Sequence, residues 1–99
     1  DAKRSATFLN AQAATAVKAN GNVDIDWNKA VNGGYNATLI TYAVVNTAGK
    51  TVTAKGATTK KFLQYVLNVC GPSVSYGLGY TPIQGVIRTK AYAILNTVK

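Results

Sequence analysis

Proton transfer, nucleophilic attack and metal binding draw on a few side-chain types, and this sequence is poor in them. Its 99 residues include no His and no Glu, and the side-chain carboxylates are Asp1, Asp24 and Asp26. Two-carboxylate chemistry of the glycosidase kind would have to rest on Asp24 and Asp26. Flanking Ile25, these two point to one side of an extended chain and could hold a cation such as calcium weakly. No third or fourth oxygen ligand is signalled nearby, so a solvated or capping pair is expected. A His-based triad is excluded, as is an ordinary zinc or di-metal site. The single cysteine, Cys70, cannot close an internal disulfide. It follows the apolar pattern Phe62 to Val69, where a buried, inert thiol is expected. No enzyme is expected, and no catalytic residue, ligand-binding residue, metal ligand or cofactor is assigned.

Positive charge is abundant, with 11 Lys and Arg and a net charge of +8. A stripe of Lys50, Lys55, Lys60, Lys61, Arg88 and Lys90 beside Tyr42, Tyr65 or Tyr92 would suit a nucleic-acid backbone with stacked bases. The cations are spread along the chain, however, so a solvated basic surface is expected and nucleic acid is not an expected partner. An oxyanion needs several converging N–H donors and a fixed cation. Arg88 is one plausible cation. Gly77-Leu78-Gly79 has no strand before it and no Lys-Ser/Thr after it, and therefore reads as the end of a helix rather than a phosphate loop. Asn36-Ala37-Thr38 is an N-glycosylation sequon, meaningful only in a secreted eukaryotic protein.

The elements that must position these residues belong to one domain at most, or to a piece of a larger one. Apolar residues make up 47% of the chain, but fifteen are Ala, so the expected core is adequate rather than generous. No run is apolar enough to span a bilayer, and Asp1-Ala2-Lys3-Arg4 leads into no signal-peptide h-region; Asp1 reads as the start of a processed or truncated chain. Phe8, Leu9, Ala13, Ala16 and Val17 predict a helix over 6–19, capped by Ser5 or Thr7 and stopped at Asn20-Gly21. Residues 38–46 are rich in β-branched and aromatic types and read as the best strand. Thr47-Ala48-Gly49-Lys50 could turn it back onto Thr51-Val52-Thr53 as a hairpin. Thr58 or Thr59 then caps a helix with Phe62, Leu63, Val66, Leu67 and Val69 on one face, interrupted by Gly71-Pro72. A short helix from Pro72 to Leu78 ends at Gly79. Pro82 opens a final amphipathic helix on Ile83, Ile87, Ala91, Ile94 and Val98.

Taken together, Asp26-Trp27, Tyr35 with the strand Leu39 to Val45, the basic linker Lys50 to Lys61, Phe62-Leu63-Gln64-Tyr65-Val66-Leu67, Gly71, and Gly79-Tyr80-Thr81-Pro82-Ile83-Gln84 before a terminal helix resemble one family. The chain is similar to the carboxy-terminal segment of phosphate-specific substrate-binding proteins, the extracytoplasmic receptors of bacterial phosphate importers. Asn36-Ala37 stands where that family usually has Pro-Ile, and Gln84 replaces its second Pro. The resemblance implies an α/β fold, part of a two-lobed periplasmic-binding-protein-like architecture in the order helix, strand or hairpin, helix, helix, helix. Residues 1–35 would end one lobe, 36–46 would be the hinge strand and 47–99 would belong to the other lobe. It further implies non-enzymatic capture of inorganic phosphate or a related oxyanion between lobes for import, outside the cytoplasm, with a companion chain or membrane permease as partner. The family's phosphate ligands match no motif here, so the anion site is expected mostly outside this chain. The other reading is a small basic interaction module for a polyanion, carbohydrate or protein surface.

Overall fold

The computed structural model describes residues 1–99. Helix α1 (Ala2–Asn10) is capped by Asp1, whose Oδ1 accepts from the backbone N–H of Lys3 at 2.9 Å and of Arg4 at 3.4 Å. A carboxylate there meets the orphan N–H groups and the positive end of the helix dipole. The helix thus begins and ends earlier than the expected 6–19. A long-range competitor accounts for the early stop. Gln12 is buried and accepts from the N–H of Asp26 at 3.0 Å, which holds the chain to a different path and overrides the helix preference of the alanines. A single 3-10 turn (Ala14–Ala16) follows, and Val17 pairs with Val23 in an isolated antiparallel bridge around Gly21, at φ +89°. Asn20-Gly21 therefore reverses an extended chain instead of closing a helix.

Helix α2 (Ala54–Tyr65) is capped by Thr53, whose Oγ1 accepts from Gly56 N at 3.0 Å; Thr58 and Thr59, the expected caps, lie inside it. Gly71-Pro72 does not interrupt the spiral. A π-turn (Val66–Cys70) carries it into a last α-helical turn, α3 (Gly71–Val74). Proline inside a regular helix loses a hydrogen bond and its ring collides with the carbonyl four residues back. Widening the turn before it moves those carbonyls, and Ser73 Oγ donates to the Val69 carbonyl at 2.6 Å as a side-chain tie across the same turn. A 3-10 turn (Tyr76–Leu78) then closes at Gly79, φ +80°, as expected from the sequence. The final helix α4 (Gly85–Leu95) starts three residues after Pro82, with its periodic face inward: Ile87, Leu95 and Val98 are buried.

The α/β expectation is overturned, since the chain is helical and contains no strand or sheet. Residues 34–49 run without turn or bend, yet the expected strand at 38–46 has no partner. The hairpin fails for local reasons. Asn46 Oδ1 accepts from Ala48 N at 2.9 Å, the chain bends only at Lys50 and Thr51, and Thr53 is taken up as the cap of α2. The two-lobed arrangement with a hinge strand at 36–46 is likewise not seen. Phe8, Leu9 and Val17 from the first third share one core with Ile87 of α4. Phe8 is the most buried side chain, and its ring stacks on Trp27 at 6.3 Å and 21°.

The molecule is flattened, with extents of 45 × 29 × 16 Å. Its accessible surface is 6684 Å². A folded monomer of this mass is expected to expose on the order of 5400 Å². The surplus has a visible source: Leu39, Val44, Val52 and Leu78 are at least 68% exposed.

Candidate functional site

The residues singled out by type do not converge. Asp24 forms an exposed ion pair with Lys18 at 3.0 Å, while Asp26 Oδ1 accepts from Asn28 N at 3.0 Å. They are thus engaged separately, and no group of three potential metal ligands exists. Cys70 is a free thiol, half-buried at the end of the π-turn rather than enclosed in a core. Arg88 Nη2 donates to Asn68 Oδ1 at 2.6 Å, and Asn68 Nδ2 donates to the Tyr92 hydroxyl at 3.4 Å. This trio braces the π-turn against α4. The Tyr42 hydroxyl accepts from Val23 N at 3.1 Å. Of the six-residue basic stripe, Lys60 reaches the chain's end instead, its Nζ donating to the Asn96 carbonyl, while the backbone carbonyl of Lys50 accepts from Lys99 Nζ. In the sequon, Asn36 Nδ2 donates to the Trp27 carbonyl, and the buried Thr38 donates to the Tyr35 carbonyl at 2.7 Å.

The motif residues act as ties between elements. Thr81 Oγ1 donates to the Ala2 carbonyl. Gln84 Oε1 accepts from Asn10 Nδ2 at 3.1 Å, while its Nε2 donates to the Tyr76 hydroxyl at 3.2 Å. The segment Gly79 to Gln84 thereby fastens the end of the α2–α3 spiral to both ends of α1.

Two hollows flank the segment 38–46. An apolar cleft of about 340 Å³ lies between Ile40, Tyr42 and Val45 on one side and Leu63, Val66, Ile87 and Ile94 on the other. No charged residue lines it, so it can take up apolar groups and has no lining carboxylate or amine to move a proton. The second hollow, about 400 Å³, is edged by Ser5, Tyr35, Thr38, Tyr80 and Thr81. Two of those hydroxyls, on Thr38 and Thr81, are already donated to carbonyls, and the one charged residue lining it is Asp1. Its side-chain carboxylate repels an oxyanion, and no Lys or Arg side chain lines the hollow to hold one.

Between the hollows runs the most distinctive feature of the chain. From Leu39 to Thr47 neither the backbone N–H groups nor the carbonyls have a hydrogen-bond partner. Residues of high strand propensity thus sit in an extended path with both edges open. Composition made this segment visible, but a missing partner leaves no trace in the segment itself. The spacing also groups Phe62 and Val69 with Leu63, Val66 and Leu67 on one apolar face, yet Phe62 and Val69 are 62% and 50% exposed. Spacing shows that apolar residues share a sector of a helix; it does not show that a neighbour covers all of it. No protein-family model, curated protein or solved structure matches the chain.

Proposed function

We propose that the chain is a non-enzymatic component of an extracytoplasmic oxyanion receptor of the phosphate-binding kind. It supplies helical scaffold, and polypeptide outside residues 1–99 completes it and provides the anion's ligands. The observation that carries this reading is the open backbone from Leu39 to Thr47. Unpaired N–H and C=O groups in an extended row are a template for another strand, and the β-branched and aromatic side chains there favour that pairing. The surface surplus, roughly 1300 Å² over the expected value, is of the size that one side of a large, obligate interface buries. The motif from Gly79 to Gln84, one part of the family resemblance, ties helices together through Thr81 and Gln84, in keeping with a scaffold role.

The test compares residues 1–99 with the longest natural reading frame that contains them. In calorimetry with inorganic phosphate the long form is expected to bind saturably and the short form not at all. By hydrogen exchange, the amides of residues 39–47 are expected to be fast in the short form and protected in the long one. Saturable micromolar binding by residues 1–99 alone, or unprotected amides in a phosphate-binding long form, would overturn the reading.

A further inference from the structure

We propose that the outer face of α2 docks on an anionic lipid surface. This goes beyond the receptor reading and uses a different face of the molecule from the open strand. At about 100° per residue, Lys61, Tyr65, Thr58, Phe62 and Lys55 fall in that order within a sector of about 120°. All five are exposed, and Phe62 and Tyr65 are 62% and 55% open to water. Leu63 and Leu67 point the other way, into the apolar cleft. The helix therefore has two apolar faces, of which one is covered. Val52 before the cap and Val69 in the π-turn are exposed as well, at 77% and 50%.

Charge narrows the choice of partner. Eight of the 11 basic residues follow Asp26, and no Asp or Glu does. Ordinary composition would place on the order of nine acidic residues in a stretch of that length. The only ion pair, Lys18 with Asp24, lies before it. Lys55 and Lys61 thus border the aromatic sector with no acidic side chain to neutralise them, and the complement to such a face is negative.

The apolar side chains decide between a soluble anionic polymer and a membrane. A polymer in water neutralises lysines but leaves Phe62 wet. The boundary between lipid headgroups and acyl chains accepts both: aliphatic and aromatic groups enter it while lysine stems lie along it and carry their ammonium groups to the phosphates. Attachment would be peripheral, since no helix is long and apolar enough to cross a membrane. Surface attraction of this kind weakens with salt, whereas the apolar part does not.

The test is co-sedimentation of the 99-residue chain with vesicles of phosphatidylcholine alone or of phosphatidylcholine rich in phosphatidylglycerol. Binding is expected to the second kind only and to fall as salt is raised. The double variants Phe62→Ser/Tyr65→Ser and Lys55→Gln/Lys61→Gln should each lower vesicle affinity about tenfold, the loss of roughly one buried side chain or of one to two surface charges. Circular dichroism should show both variants as helical as the parent, because every altered side chain is exposed. Lys29→Gln, which lies outside this face, should bind like the parent. Equal binding to both vesicle types, or full affinity in a well-folded Phe62→Ser/Tyr65→Ser variant, would overturn the proposal. So would tighter binding to soluble polyphosphate than to vesicles, which would assign the face to a polymer.

Discussion

Phe8 is 1% exposed and stacks on Trp27, so its ring joins α1 to the loop that follows the Val17–Val23 bridge. Truncating such a side chain costs both its transfer free energy and the cavity left behind. Phe8→Ala is expected to lose about 3 to 5 kcal/mol, enough to unfold much of a population with so small a core. Urea titration followed by Trp27 fluorescence would register both the loss of stability and the loss of the stack. The exposed Lys18–Asp24 pair stands at the other extreme; solvent screens it, and it contributes little. The Asp24/Asp26 spacing was readable as a possible cation pair. A solvated or capping pair was the expected outcome, and each carboxylate is engaged on its own, Asp24 by the exposed Lys18 and Asp26 by the Asn28 N–H.

The helices were legible wherever an apolar period was sustained. The face of α4 built on Ile87, Ala91 and Ile94 is the one the spacing predicts, and Gly79 does end a turn. Boundaries were less so, because the caps are chosen by contacts distant in sequence. Thr53, rather than Thr58, starts α2 since the tail at Lys99 packs against that first turn. The strand at 38–46 was legible as an extended segment but not as a lone one, because pairing depends on residues elsewhere. Nor does Gly71-Pro72 signal a widened turn instead of a break. At Gly71 a Cβ would approach the Val66 carbonyl oxygen to 2.7 Å. Gly71→Ala should therefore destabilise the chain by about 1 to 2 kcal/mol in urea titration, although alanine is the better helix former by about 1 kcal/mol. A stabilised variant would mean that the π-turn relaxes freely.

At the scale of the molecule, contacts between remote parts of the chain close the structure. Thr81 reaches Ala2, Thr53 Oγ1 donates to the Lys99 carbonyl at 3.3 Å, and Val98 is 3% exposed. A Cβ on Gly56 would overlap the Lys99 carbonyl, so Gly56→Ala must lift the tail and uncover Val98. The exposed valine costs about 1.5 to 3 kcal/mol and the added helix propensity returns about 1. A net loss of about 1 kcal/mol is expected, together with earlier cleavage of the tail in limited proteolysis; a tail as resistant as the parent's would contradict the packing. The widened turn at Val66–Cys70 has a geometric consequence of the same reach. It amounts to one surplus residue in the shaft that connects the Thr53 cap to the tether at Tyr76 and Gln84. Excising that residue would return the spiral to regular α geometry and leave everything beyond it at nearly the same azimuth, since five residues in an i→i+5 turn sweep about the same angle as four in an α-helix; Tyr76 would stay in register with Gln84. The widened turn thus takes up one residue while leaving almost unchanged the azimuth at which the closing third of the chain attaches.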